Sequence, residues 1–213
     1  MSTHELFFPR LIRRNQYRTT RSGEYYADYS EYKQEIREDC LGRCVYCDCH
    51  ENELGGPESM NLDHFRPKKY KDFEHLINDP HNLVWTCGGC NKLKLHHWPA
   101  LGTIGTVLGE NGFIDPFLEN RLEYFEIRQD GELIPLKPPA AYMEKLLVLN
   151  RLTSKLRRQW RYQAHELIPK LIIEITKLEQ LTDLTDEQAR LLEILKSSRA
   201  MQQARLDFSL HDS

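Results

Sequence analysis

Apolar positions divide the chain into elements before any chemistry is considered. Tyr29, Tyr32, Ile36 and Leu41 recur at roughly helical spacing and stop at Gly42, which predicts a helix over 26–41. From residue 60 to 91 the order is a short apolar strand, a charged loop with Pro67 and Pro80, a second apolar strand over 82–86, and a glycine turn opening a short helix. Residues 101–139 are punctuated by glycine and proline, and Tyr124-Phe125-Glu126-Ile127 followed by the Asp130-Gly131 turn signal predicts a β-hairpin. Beyond Pro139, Leu146, Leu149, Leu156 and Trp160 recur at three- and four-residue multiples. Leu167, Leu171, Ile175 and Leu178 continue a similar stripe after or through Pro169, so this part reads as helices. A last helix is expected from Thr185, capped reciprocally with Gln188, to about Ala204. The expected fold class is α+β.

With 213 residues, 40% of them hydrophobic and 10% aromatic, the chain can build a packed interior and is not a disordered polymer. We read 1–43 as an N-terminal basic arm and helix, 44–98 as a core, and 99–213 as a hairpin and helical extension packed on it. A net charge of -3 supplies no global attraction for nucleic acid, so any phosphate-binding surface must be local. Two acid-free basic stretches qualify: Arg10, Arg13, Arg14, Arg18 and Arg21, and the run Lys145, Arg151, Lys155, Arg157, Arg158 and Arg161. Each reads equally well as ordinary solvated charge. No export signal or membrane-length apolar run is visible, so the expectation is a soluble cytoplasmic protein without a membrane partner. Six cysteines in a reducing compartment then point to metal or redox chemistry rather than disulfides.

Cys44-Val-Tyr-Cys47 and Cys87-Gly-Gly-Cys90 are matched Cys-x-x-Cys pairs, each offering two thiolates from one tight turn, and together they complete a tetrahedral zinc shell. Cys40 and Cys49 fall outside the pairs as bystanders, although Cys49 is close enough in sequence to compete with Cys47. Such a closed site is scaffold, so catalysis must come from what lies between the pairs. There stand Leu62-Asp63-His64-Phe65-Arg66-Pro67-Lys68, His81-Asn82-Leu83 and Asn91-Lys92-Leu93-Lys94. Phosphodiester hydrolysis needs an activated water and a cation at the developing charge. His64 can deprotonate water, while the Asp63 carboxylate and the Asn91 amide oxygen can hold a hard cation such as magnesium or manganese. Arg66, Lys68, Lys69, Lys92 and Lys94 flank these residues and are expected to contact the phosphate backbone. His75 and His81 carry no such signal, and His96-His97 reads as surface after the helix rather than as a second metal clip.

Over residues 44–94 these motifs resemble the HNH (ββα-metal) endonuclease family in its zinc-stapled form. The resemblance implies Asp63 and Asn91 as metal ligands, His64 as general base and Asn82 as the residue holding the His64 loop. Many members carry histidine at the last position, so Asn91 makes this an HNN variant, which favours oxygen-seeking magnesium or manganese. Phe113-Ile-Asp115-Pro116, Tyr124-Phe125 with Asp130-Gly131, and Leu147-Val-Leu149-Asn150 followed by a basic helix resemble the PtuB-like HNH subunits of Septu and retron antiphage systems. That looser resemblance implies a PtuA-like ATPase partner and a target in DNA, or else RNA. The competing expectations are a stand-alone restriction-type nuclease and a zinc-stapled module that binds nucleic acid without cutting. Oligomeric state stays open.

Overall fold

In the computed structural model, residues 6–210 are described; residues 1–5 and 211–213, the ends of the first and last segments above, lie outside them. The fold is α+β, with three two-stranded antiparallel sheets and several helices among the described residues. No helix among them is long and apolar enough to cross a membrane.

The helix expected over 26–41 is shorter. Asp28 caps a 3-10 turn, Tyr29–Tyr32, by accepting the Ser30 N–H at 2.9 Å, and helix α1 follows at Lys33–Asp39. Tyr32 and Ile36 are buried, but Leu41 and Gly42 take left-handed φ values of 55° and 62°, which ends the helix and leaves Leu41 exposed. Strands β1 (Met60–His64) and β2 (Leu83–Cys87) pair with Met60 opposite Cys87 and His64 opposite Leu83. Every residue of β2 is buried, because α1 and the following helix α2 (Gly88–Lys94) both pack on it. That burial explains its unbroken apolar pattern. The anticipated strand, loop, strand, helix order is therefore present.

Strands β3 (Val107–Leu108) and β4 (Asn111–Gly112) make a minimal hairpin. The predicted hairpin is β5 (Phe125–Ile127) with β6 (Leu133–Pro135). Its turn residue Gly131 has φ 81° and lies so close to the next helix that an added Cβ would fall 2.0 Å from the Lys155 carbonyl oxygen, so glycine is required there twice over. Helix α3 (Ala140–Leu147) ends at Val148 in the left-handed region, which leaves Leu149 buried in a turn rather than in a helix. Helix α4 (Leu152–Glu179) runs through Pro169, and α5 (Asp186–Leu210) packs along it, extending past the expected end near Ala204. The expected capping box is made: the Gln188 N–H reaches Thr185 Oγ1 at 3.2 Å, and Gln188 Oε1 accepts the Thr185 N–H at 2.9 Å. Leu171 and Ile175 bury the α4 stripe, while Trp160 and Leu167 remain exposed.

Neither basic stretch is a free phosphate surface as a whole. In the arm, Arg14 pairs with Asp39 at 2.9 Å and Glu38 at 2.8 Å, Arg18 with Glu35 at 3.0 Å, and Arg13 donates to the Pro80 and Leu83 carbonyls. In the second stretch, Arg161 is buried on Asp48 at 2.8 Å, Arg158 is buried against the Gly131 and Leu149 carbonyls, and Lys155 pairs with Asp130. The carboxylates missing from these stretches come from other segments of the chain. Arg10, Arg21, Lys145 and, partly, Arg157 are left facing solvent.

Candidate metal centre and adjoining histidine site

The Sγ atoms of Cys44, Cys47, Cys87 and Cys90 all lie within 4.8 Å of one another, and Cys47 and Cys87 approach to 3.7 Å. Four thiolates about 2.3 Å from one zinc ion sit roughly 3.8 Å apart, so the arrangement fits a tetrahedral metal. Local folding explains the placement. The first knuckle closes through the Cys44 N–H to the Cys49 carbonyl and the Asp48 N–H to the Cys44 carbonyl, both at 2.9 Å, with Asp48 at φ 63°. The Val45 N–H then docks that knuckle on the Trp85 carbonyl of β2 at 3.0 Å. Cys87 ends β2 and caps α2 by accepting the Cys90 N–H. Burial pushes the Cys44 thiol well up, while hydrogen bonds from Cys44 and its neighbours pull Cys47 well down. Four buried sulfurs packed this closely suit a cation that draws them into thiolates.

Among the described residues, this is the one cluster of three or more histidine, cysteine or acid side chains placed to hold a metal. Cys40 lies outside it, its thiol pushed up to about 12 by burial. Cys49 is also outside, with Sγ 3.8 Å from Ser154 Oγ. Arg151, which the sequence singled out only as part of a charge run, donates through Nη2 to Cys87 Sγ at 3.5 Å and Cys90 Sγ at 3.4 Å. Its Nη1 holds the Leu147 carbonyl at 3.0 Å, tying the start of α4 to the centre.

Asp63 and His64 end β1, both largely buried. His64 Nε2 sits 2.9 Å from the Ile77 carbonyl oxygen, which can only accept, so Nε2 carries the proton and Nδ1 keeps its lone pair. Burial lowers the His64 pKa from its ordinary value, which keeps the ring neutral at neutral pH. Tyr29 packs its ring edgewise on the imidazole. Asn82 closes the neck of the loop after His64: its Oδ1 accepts the Arg66 N–H at 2.9 Å and its Nδ2 donates to the Arg66 carbonyl at 3.0 Å.

Lys94 departs from expectation. It is fully buried, with Nζ 3.0 Å from Asp63 Oδ2 and 2.9 Å from the His64 carbonyl oxygen, so it cannot serve as a surface phosphate contact. It points from α2 back onto the end of β1, where Asp63 compensates its charge. Tyr46, inside the first knuckle, also donates to Asp63 Oδ2, at 3.2 Å. Asn91 lies one turn before Lys94 on α2, partly exposed, and its side chain makes no hydrogen bond among the described residues. Lys68, Lys69 and Lys92 are exposed. Arg66 is half-buried, lying over the Phe73 and Trp98 rings and donating to the Ile104 carbonyl. His75 is exposed, His81 leans on Asp79 and Tyr17, and His96 and His97 stack at the surface as expected. The Ile77 carbonyl, Tyr46 and Arg151 carry no sequence signal for these roles. Lys94 could have been suspected, since three residues after Asn91 a side chain returns to the same helix face.

Compared with protein-family models, curated proteins and solved structures, the chain matches none.

Proposed function

We propose that this protein is a metal-dependent nuclease of the HNH (ββα-metal) type, with His64 as general base and nucleic acid, DNA first, as substrate. The observation that carries the reading is the Ile77 carbonyl on His64 Nε2, which leaves a neutral imidazole with Nδ1 ready to accept a proton. The motif resemblance over residues 44–94 supports it, as does a strand-strand-helix unit bracketed by four thiols. His64 would take the proton of the attacking water at Nδ1. Asn82 keeps the following loop from shifting the ring. Asp63, through the oxygen not engaged by Lys94, and the unpartnered Asn91 amide are hard oxygen donors of the kind magnesium or manganese accepts, and they would hold that ion. When bound, it would supply charge stabilisation at the phosphate. Lys68, Lys69 and Lys92 are left to meet the backbone of the nucleic acid. The wider reading, a cytoplasmic antiphage effector working with an ATPase of the PtuA type, rests on the resemblance of residues 113–150.

One observation favours the second reading, a zinc-stapled binding module: Lys94 already neutralises Asp63 at 3.0 Å. Supercoiled plasmid separates the two readings. Wild type with magnesium or manganese is expected to nick or linearise it, EDTA to stop this, and His64→Ala to abolish cutting while its circular dichroism stays that of wild type. Binding without cutting, in the presence and absence of an ATPase partner, selects the module.

A further inference from the structure

We propose that the recess between α4 and α5 binds a nucleoside monophosphate. The cavity, about 280 Å³, lies on other elements than the histidine site, and its walls include Glu53, Arg157, Trp160, Arg161, Arg205 and Phe208. Its floor is electrically settled. Arg161 and Arg43 share Asp48 at 2.8 and 3.1 Å, and Glu53 Oε1 lies 3.8 Å from Arg161 Nε, a buried N–H with no hydrogen-bond partner. Two cations and two carboxylates balance there. Two further lining residues are not settled: Arg157 of α4 and Arg205 of α5 have no ion pair or hydrogen bond among the described residues, so the recess is bordered by two unpaired arginines from two helices. Guanidinium groups bind phosphate through directed, charge-assisted bonds.

Beside them stand Trp160, 52% exposed, and Phe208, 53% exposed, although aromatic rings of this size normally bury themselves. A phosphate for the arginines and a planar base for the rings satisfy both halves of the wall. The volume lies just below the range of about 300–1,000 Å³ usual for small-molecule sites, a scale nearer to one nucleotide than to a strand.

Trp85 and Trp98 are buried, which makes Trp160 the solvent-facing reporter. Titrating the full zinc-loaded chain with AMP is expected to give a saturable change in tryptophan fluorescence that Trp160→Phe removes. Arg157→Ala and Arg205→Ala should each weaken AMP about tenfold, with circular dichroism unchanged. Adenosine should bind more weakly than AMP for lack of the phosphate, inorganic phosphate more weakly for lack of the base, and a 5′-phosphorylated oligonucleotide more weakly for lack of room. A missing signal with AMP, or an affinity that both arginine variants leave intact, overturns the proposal. Phosphate binding as tightly as AMP overturns the role of the rings, and an oligonucleotide binding more tightly overturns the enclosed site in favour of a strand end.

Discussion

Residues 44–94 build their sheet and helix from two strands of 5 residues and a helix of 7, whereas α4 and α5 run 28 and 25 residues side by side. A two-stranded sheet of that size is marginal alone, so the first region depends on four thiols and on buried polar clamps: Lys94 on Asp63, Asn82 on Arg66, Arg121 on the Val45 carbonyl. The helical pair depends on repetition instead, with Leu171, Ile175, Leu192 and Leu206 forming a buried line while much of its apolar surface stays exposed. One region is held by few strong, specific links and the other by many weak ones. The first should fail abruptly and the second gradually.

The sharpest break is at the thiols. Cys87→Ser, or stripping the metal with a chelator, removes a contribution that for structural zinc sites is on the order of 10 kcal/mol, and the strand-strand-helix unit is expected to unfold. Hydrogen exchange over residues 44–94 should collapse while the distal α4–α5 amides keep part of their protection; equal loss in both would erase the contrast between the regions. The joint between them is Asp48, fully buried between Arg43 and Arg161. Asp48→Asn leaves two guanidiniums without their carboxylate and should cost about 3–5 kcal/mol in urea unfolding. A cost under about 1 kcal/mol, the range of an exposed ion pair, would show that water reaches the pair. At the gradual end, Thr185→Ala deletes half of the α5 capping box and is expected to cost about 1 kcal/mol, read as fraying of the first α5 turn.

The same contrast governs what could be read from sequence. The four clustered cysteines, both strands of the core unit, the Asp130-Gly131 turn and the Thr185-Gln188 box were legible because each is written within a few residues. The fate of the arginines was not. Arg161 meets its carboxylate 113 residues away at Asp48, and Arg14 meets Asp39 across 25, so a charge run that looks acid-free along the chain is neutralised in space. Lys94 was read as a surface charge for the same reason: its partner Asp63 sits on another element. In the candidate site, residue types could be named, but the carbonyl that fixes the His64 tautomer belongs to Ile77, and a backbone oxygen leaves no mark in the identity of its residue.

The Asn82 side chain clasps both backbone groups of Arg66, so sixteen positions of chain leave and return through one sealed neck. The same loop comes back to the strand end it left: the Ile77 carbonyl reaches His64 Nε2 at 2.9 Å, and Lys68 donates to Tyr29, whose ring packs on the imidazole. The clasp therefore works as a tensioner: it fixes where the loop begins and ends, so that a backbone oxygen far along the loop is delivered to the imidazole, and a change of loop length would be felt as a change in which ring nitrogen carries the proton.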